Sequence, residues 1–376
     1  MVDRRTLLTG FAAAGAATLL GCSRDDDQPK ASPNASTGAS PSTSPTAPAT
    51  AGATSISPTI ASTIASGLNV PWGIAFLAGG DALVSQRDEG TVVRISKAGK
   101  VTTVGEVEGV MPAAAGGEGG LLGIAVAPGD ESTLFAYITT ESDNRVVRMD
   151  LSDRGLGAPR AILPGIPTSL HHHGGRLLFD STGNLFVSTG DAEQRDLAQD
   201  KGSLAGKILR ITRDGAAAGG NPFGSRTWSY GHRNIEGLAL DAGGQLWATE
   251  FGEKKADELN LITAGGNYGW PRVDGRSKDD AYLDPQVTWG TDECSPAGLA
   301  ITRSTAFIGA LQGECVFAVP LDGTGAGTPK AYFAGDHGRI RSVVTAPDGA
   351  LWVTTSNTDG RRAPSRGDDR IFRVTV

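Results

Sequence analysis

The sequence predicts an all-β fold, a six-bladed β-propeller of four-stranded antiparallel blades closed by an N-terminal strand. Three observations predict it. From about residue 58 a strand–turn–strand unit recurs six times, at intervals of 46 to 61 residues. Glycine is abundant, 53 of 376 residues, while aromatic residues make up only 6%; this suits many turns between β-branched strands. A spare strand-like segment precedes the first unit, and the last unit stops after its third strand. The amphipathic helices that a parallel α/β repeat places between its strands do not appear in the pattern.

Each unit has a Gly-flanked apolar strand, a turn often containing Asp-Gly or Gly-Gly, a second strand, and usually a third ending near an Arg. Unit one reads WGIAF, DALVSQ, GTVVRIS, and unit two reads LLGIAV, TLFAYITT, NRVVRMD. Unit three reads GGRLLF, GNLFVSTGD, GKILRIT, and unit four reads IEGLAL, GQLWATE, DELNLI. Unit five reads PAGLAI, TAFIGAL, CVFAVPL, and unit six reads IRSVVT, GALWVTT, DRIFRVT. The units begin near Trp72, Leu121, Gly174, Ile235, Ser295 and Arg341. Segment 57–64 (SPTIASTI) is expected to supply the missing outer strand of blade six, which closes the ring and removes an open edge.

Residues 1–57 are not expected in the propeller. Arg4 and Arg5 precede an apolar or small-residue run over 7–21, too short to span a bilayer but right for a signal-peptide core. The run ends in Leu19-Leu20-Gly21-Cys22, which resembles the lipobox of bacterial lipoproteins. That resemblance implies cleavage after residue 21, lipidation of Cys22 and a place on the outer face of the cell membrane. The Arg pair also resembles a twin-arginine signal. Residues 22–57 are rich in Ser, Thr, Pro and Ala, with almost no large apolar residue, and read as a disordered tether. Export puts Cys294 and Cys315 in an oxidising compartment, where they are a candidate disulfide; two inert buried thiols are the alternative. The net charge of -7 excludes a nucleic-acid partner, which needs a basic face.

Propellers gather chemistry where inner strands and their loops meet the central channel, and five polar clusters fall there. His171-His172-His173-Gly174-Gly175-Arg176 enters blade three; a His there can act as a base near neutral pH, although a solvated turn would read the same. Asp191 follows the second strand of that blade, where antiparallel return places it beside His172. Tyr230-Gly231-His232-Arg233-Asn234 enters blade four and offers a fixed cation, or an inter-blade ion pair. Glu250-Phe251-Gly252-Glu253, Asp257-Glu258 and Asn267-Tyr268-Gly269-Trp270-Pro271 supply oxygen ligands of the kind Ca²⁺ takes, or a solvated acidic turn. Arg339 and Arg341 alternate on the strand entering blade six, so both guanidinium groups face one way. They suit an anion with several carboxylates, or pairing with neighbouring acids.

The motifs GGEGGLLGIA, HHGGRLLFD with STGD, WSYGHRNIEGLAL and DELNLITAGGNYGWP, in this order on six units, resemble the soluble pyrroloquinoline-quinone (PQQ) sugar dehydrogenases, the glucose/sorbosone dehydrogenase family. The resemblance covers about 70–376. It implies PQQ and Ca²⁺ as cofactors and a sugar as substrate. His172 matches the catalytic base, Asp191 its carboxylate partner, and Arg233 with Asn234 the pair beside the quinone. Gly252 and Glu253 match the carbonyls that hold the cofactor's calcium; Glu258 and Tyr268 match a second calcium site. Arg339 and Arg341 match the arginines that clamp the cofactor's carboxylates. Glu118 stands at a cofactor-touching position where several relatives have Gln, Glu253 replaces a common Pro, and Gln312 falls where relatives often carry Lys or Arg. The implied chemistry is His-assisted hydride transfer from an aldose or related alcohol to the quinone, giving a lactone, with an unidentified electron acceptor downstream. The alternatives are a calcium-dependent lactonase-type hydrolase and a non-catalytic ligand-binding propeller.

Overall fold

A computed structural model describes residues 56–376. The export signal over 1–21, the lipidation site Cys22 and the tether as far as residue 55 lie outside the described residues. The rest folds into six antiparallel sheets, one per sequence unit. The inner strands are Pro71–Phe76, Leu121–Ala127, Gly174–Phe179, Ile235–Leu240, Pro296–Thr302 and Ile340–Thr345. They contact one another in chain order, and the last touches the first. The ring is closed as expected: Thr59–Ser66 pairs antiparallel with Arg370–Thr375 as the outer strand of blade six. Blade two carries an additional two-residue strand, Gly155–Leu156.

The repeated glycine of the inner strands has a steric cause. At Gly123 a Cβ would lie 2.2 Å from the Gly175 carbonyl oxygen of the next blade, and at Gly298 it would lie 2.7 Å from Ser342 Cα. Inner strands of adjacent blades approach too closely there for any side chain. Blade three places Arg176 at the corresponding position, and its side chain fills the channel instead. Its Nε donates to Glu236 O at 2.7 Å in blade four and its NH2 to Ser342 Oγ at 3.2 Å in blade six. The guanidinium also stacks 4.2 Å from the Trp72 ring centroid in blade one. Burial draws its pKa down to about 10, so at neutral pH it remains a cation. One arginine thus ties four blades together and plugs the axis beneath the site.

Between blades the core is apolar: Trp72, Leu122, Phe135, Leu163 and Val187 pack in one cluster, and Trp247, Leu259, Leu299 and Ile308 in another. Cys294 and Cys315 belong to the second cluster. The candidate disulfide is corrected here: both are free, buried thiols. Their apolar surroundings disfavour the thiolate and raise both pKa values, that of Cys315 to about 12.

Candidate functional site

At one mouth of the channel lies a cavity of about 690 Å³ walled by blades two to six. Four arginines (Arg233, Arg339, Arg341, Arg361) and four carboxylates (Glu118, Glu236, Glu253, Asp257) face it, with His171 and His172. Another cavity, of about 520 Å³ beside the outer strand of blade six, contains no histidine.

His172 enters the cavity wall just ahead of its inner strand. Its φ is +60°, a left-handed conformation that costs a non-glycine residue about 1–2 kcal/mol and so needs external support. Three contacts supply it. The His172 N–H donates to Glu118 Oε2 at 3.0 Å, its carbonyl accepts from Ala192 N at 3.3 Å, and its Nδ1 lies 2.7 Å from Asp191 Oδ1. Asp191 is brought there by the pairing of Gly174 with Thr189, as antiparallel return requires. Its side chain has no solvent exposure. Oδ2 accepts from Trp270 Nε1 at 2.7 Å, and Oδ1 also accepts from Glu193 N at 2.9 Å. A carboxylate accepts, so in the neutral ring the proton sits on Nδ1 and Nε2 keeps its lone pair. Among the described residues Nε2 has no hydrogen-bond partner. The flanking histidines do other work: His171 lies 3.2 Å from Glu193, and His173 is buried with Nδ1 3.0 Å from Asn144 Oδ1.

Arg233 faces the cavity with NH1 3.3 Å from Phe251 O and its guanidinium 5.5 Å from the Trp270 ring centroid. Asn234 sits behind the wall rather than on it. Its Oδ1 accepts from Gly174 N at 2.9 Å, while its buried Nδ2 has no partner. Arg339 and Arg341 both face the cavity, as alternation predicts, but neither is free. Arg339 Nε lies 3.0 Å from Asp359 Oδ2; Arg341 NH1 lies 2.6 Å from Glu236 Oε2 and its NH2 3.6 Å from Asp359. Of the two readings posed for this pair, the ion pairing is present, and both arginines also line the cavity. Burial works against the Arg341 charge, but Glu236 and Asp359 outweigh it and raise its pKa. Burial also tends to raise Asp359, yet the two arginines pull it below the usual carboxylate range.

Gly252 and Glu253 also lie on the wall, and Gly252 N donates to Asp257 Oδ1 at 3.0 Å. The Glu253 carboxylate is paired with Arg195, 3.2 Å distant. Glu258 and Tyr268 do not line the cavity. Glu258 is buried, accepts from Asn260 Nδ2 and Gly275 N, and burial with neighbouring Glu250 pushes it up to about 8. The Tyr268 ring stacks 4.6 Å from His232, whose Nδ1 lies 2.8 Å from Glu250. Among the described residues no group of three or more His, Cys, Asp or Glu side chains converges as a metal cage.

Sequence reasoning missed Arg361, Asp359, Glu236 and the role of Trp270. Arg361 sits in a charged loop that reads as solvated. Glu236 had a signal: IEGLAL places a charge on an inner strand, as GGRLLF and IRSVVT do.

The comparisons with known proteins agree with one another. The family model for glucose / sorbosone dehydrogenase matches residues 68–364. The chain is 32% identical over 335 residues to aldose sugar dehydrogenase YliI of Escherichia coli, covering 78% of this chain and 89% of that one. It is 30% identical over 255 residues to quinoprotein glucose dehydrogenase B of Acinetobacter calcoaceticus, covering 58% of this chain and 53% of that one. The solved structure of the PQQ-bound form of an aldose sugar dehydrogenase from Streptomyces coelicolor superposes with a TM-score of 0.82 at 47% identity, covering 85% of this chain and 97% of that one.

Proposed function

The chain belongs to the glucose/sorbosone dehydrogenase family, and from that premise we propose that it oxidises aldose sugars or related alcohols to lactones, using PQQ and calcium, at the outer face of the cell membrane where Cys22 anchors it. It is a quinoprotein sugar dehydrogenase. The observation that carries this reading is the free Nε2 of His172, facing a cavity that four arginines also face.

The residues present fit a flat, anionic cofactor. Arg339 and Arg341 offer co-directed cations and Arg233 a third, while Asn234, just behind the wall, keeps a buried Nδ2 without a partner. The Gly252 and Glu253 carbonyls are the proposed calcium ligands beside it, and Glu258 with the Tyr268 carbonyl the second calcium site. When bound, the quinone supplies a two-electron acceptor and the calcium a Lewis acid. His172 Nε2 takes the proton of the substrate hydroxyl. Asp191 holds the ring in the competent tautomer and stabilises the imidazolium that forms. Arg233 supplies fixed positive charge where negative charge develops during the transfer. Trp270 covers the far oxygen of Asp191 and keeps water from competing for it.

The test is to mix the purified domain with calcium and PQQ, then add assorted aldoses and a redox dye. Quinone-dependent dye reduction that vanishes in His172→Ala is expected. Quinone-independent hydrolysis of lactones would instead assign a hydrolase, and ligand binding without either activity a binding module. For the anchor, Cys22→Ala should move the protein from the membrane fraction to the soluble one; unchanged retention counts against it.

A further inference from the structure

We propose that Glu118 is a positioning residue for His172, and that Arg361 is the binding-site residue that neutralises Glu118 so that the cavity accepts an anionic cofactor. The inference rests on the PQQ reading above and adds to it a residue pair that bridges blades two and six.

Two loops grip each other at the base. Glu118 Oε2 accepts the His172 N–H at 3.0 Å, and the Glu118 N–H donates to Leu170 O at 3.0 Å. The first bond lands on the one histidine of the run with a left-handed backbone. A carboxylate suits this task because it accepts more strongly than a neutral oxygen. It also places a negative charge on the wall of a site meant for an anion, where like charges repel.

The other arginines of the cavity form no ion pair with Glu118. Arg339 is met by Asp359, and Arg341 by Glu236 and Asp359. Arg233 makes its side-chain hydrogen bond to Phe251 O. Arg361 does answer it: its NH2 lies 3.0 Å from Glu118 Oε1 and 3.4 Å from Gly116 O. Its position is not accidental. The Arg361 N–H donates to Asp359 Oδ1 at 3.1 Å, so the carboxylate that orients Arg339 and Arg341 through Oδ2 also sets the turn carrying Arg361. Burial tends to raise the Glu118 pKa, but the His172 amide and the Arg361 charge outweigh it, and the carboxyl stays ionised. One loop of blade six thereby balances both the arginine pair and the carboxylate across the mouth.

A residue that neutralises another has a signature that direct cofactor contact lacks: removing the charge it answers rescues its loss. The experiment measures PQQ affinity of the calcium-loaded apoprotein by quenching of tryptophan fluorescence, for wild type, Arg361→Gln, Glu118→Gln and the double variant. Arg361→Gln should weaken binding roughly tenfold, a modest value because Arg361 is half-exposed. Glu118→Gln alone should bind at least as tightly as wild type, and the double variant should return to within about threefold of it. Glu118→Ala should lower kcat for sugar oxidation more than Glu118→Gln does, because the Gln amide oxygen still accepts the His172 N–H. Thermal melts of each variant exclude misfolding as the cause. Unchanged affinity in Arg361→Gln, or a double variant as weak as Arg361→Gln, overturns the proposal. Wild-type protein that does not bind PQQ overturns the functional reading and this inference with it.

Discussion

Replacing Asp191 by Asn changes one atom and tests the acid–base assignment directly. Asp191 accepts three hydrogen bonds, from His172 Nδ1 and Glu193 N on Oδ1 and from Trp270 Nε1 on Oδ2. Asn has one acceptor oxygen, so its NH2 must face a donor. Turned toward Trp270, it leaves a buried clash of two donors. Turned toward His172, it forces the imidazole proton onto Nε2 and removes the base. The first outcome forfeits a charge-assisted hydrogen bond of about 1.5–3 kcal/mol. The second inverts the tautomer, a change that costs about 10⁴ in kcat in the serine-protease triad. The expected fall in kcat is therefore about 10² to 10⁴. KM for the sugar should move little, because Asp191 does not line the cavity. The assay is dye reduction at saturating PQQ and calcium, well below the melting temperature, since the buried mismatch also costs stability. In a His172→Ala background Asp191→Asn should cause no further loss, because it acts through the ring. A kcat within about threefold of wild type, or a further full loss in the His172→Ala background, refutes the reasoning.

Three further outcomes are expected. Arg341→Met strands buried Glu236, which loses its 2.6 Å partner, and should lower unfolding stability by about 3–5 kcal/mol in urea; adding Glu236→Gln should recover part of it, and a loss below about 1 kcal/mol would contradict a tightly buried pair. Lys207 is fully buried, and its Nζ donates to the carbonyls of Leu197, Ala198 and Ala205; Lys207→Met should cost about 2–4 kcal/mol and raise hydrogen exchange in the loop over 194–206, whereas wild-type exchange there would show that the lysine does not hold it. Burial holds His173 below its ordinary pKa of 6.5, so the unfolded chain binds the proton first. Stability should then fall as pH drops below 6.5, by at most about 1.4 kcal/mol per unit from this group. His173→Gln should flatten the melting temperature between about pH 6.5 and 5; parallel slopes would show that His173 is not the group responsible.

The ring was legible because its signal is repeated. Each inner and second strand carries a buried apolar run, as in Leu121–Ala127 and Thr305–Ala310, and the close approach between blades forces glycine at matching places. Two of the outer strands carry no such signal: Val101–Glu106 and Lys330–Tyr332 are mostly exposed, so nothing constrains their alternation. In the site, His172 and Asp191 could be paired from sequence because they lie 19 residues apart on neighbouring strands of one blade. Glu236 and Arg341 lie 105 apart, and Arg361 and Glu118 243 apart. Only the closed ring brings them together, and local pattern is blind to ring closure. The cysteines misled for a related reason: an expected oxidising compartment would permit a disulfide, but packing decides where the thiols point.

The choice between oxidation and lactone hydrolysis turns on which groups in the cavity are already committed. A calcium-dependent hydrolase needs carboxylates that converge on one ion. Here Glu118 faces Arg361, Glu236 faces Arg341 and Glu253 faces Arg195, while Asp257 accepts from the N–H groups of Gly252 and Ser295. Each of the four acids is occupied by a cation or an amide of the chain itself. Among the basic groups of the wall, two have no acidic partner to engage the atom they turn to the cavity: His172 at Nε2, and Arg233, whose guanidinium has no carboxylate partner among the described residues. A ring nitrogen without a partner and an unanswered cation on one wall suit removal of a hydroxyl proton while negative charge builds on a neighbouring acceptor. A binding propeller without chemistry would have no use for the buried carboxylate held behind the His172 ring. Burying that group costs free energy, and its bond to Nδ1 orients the ring.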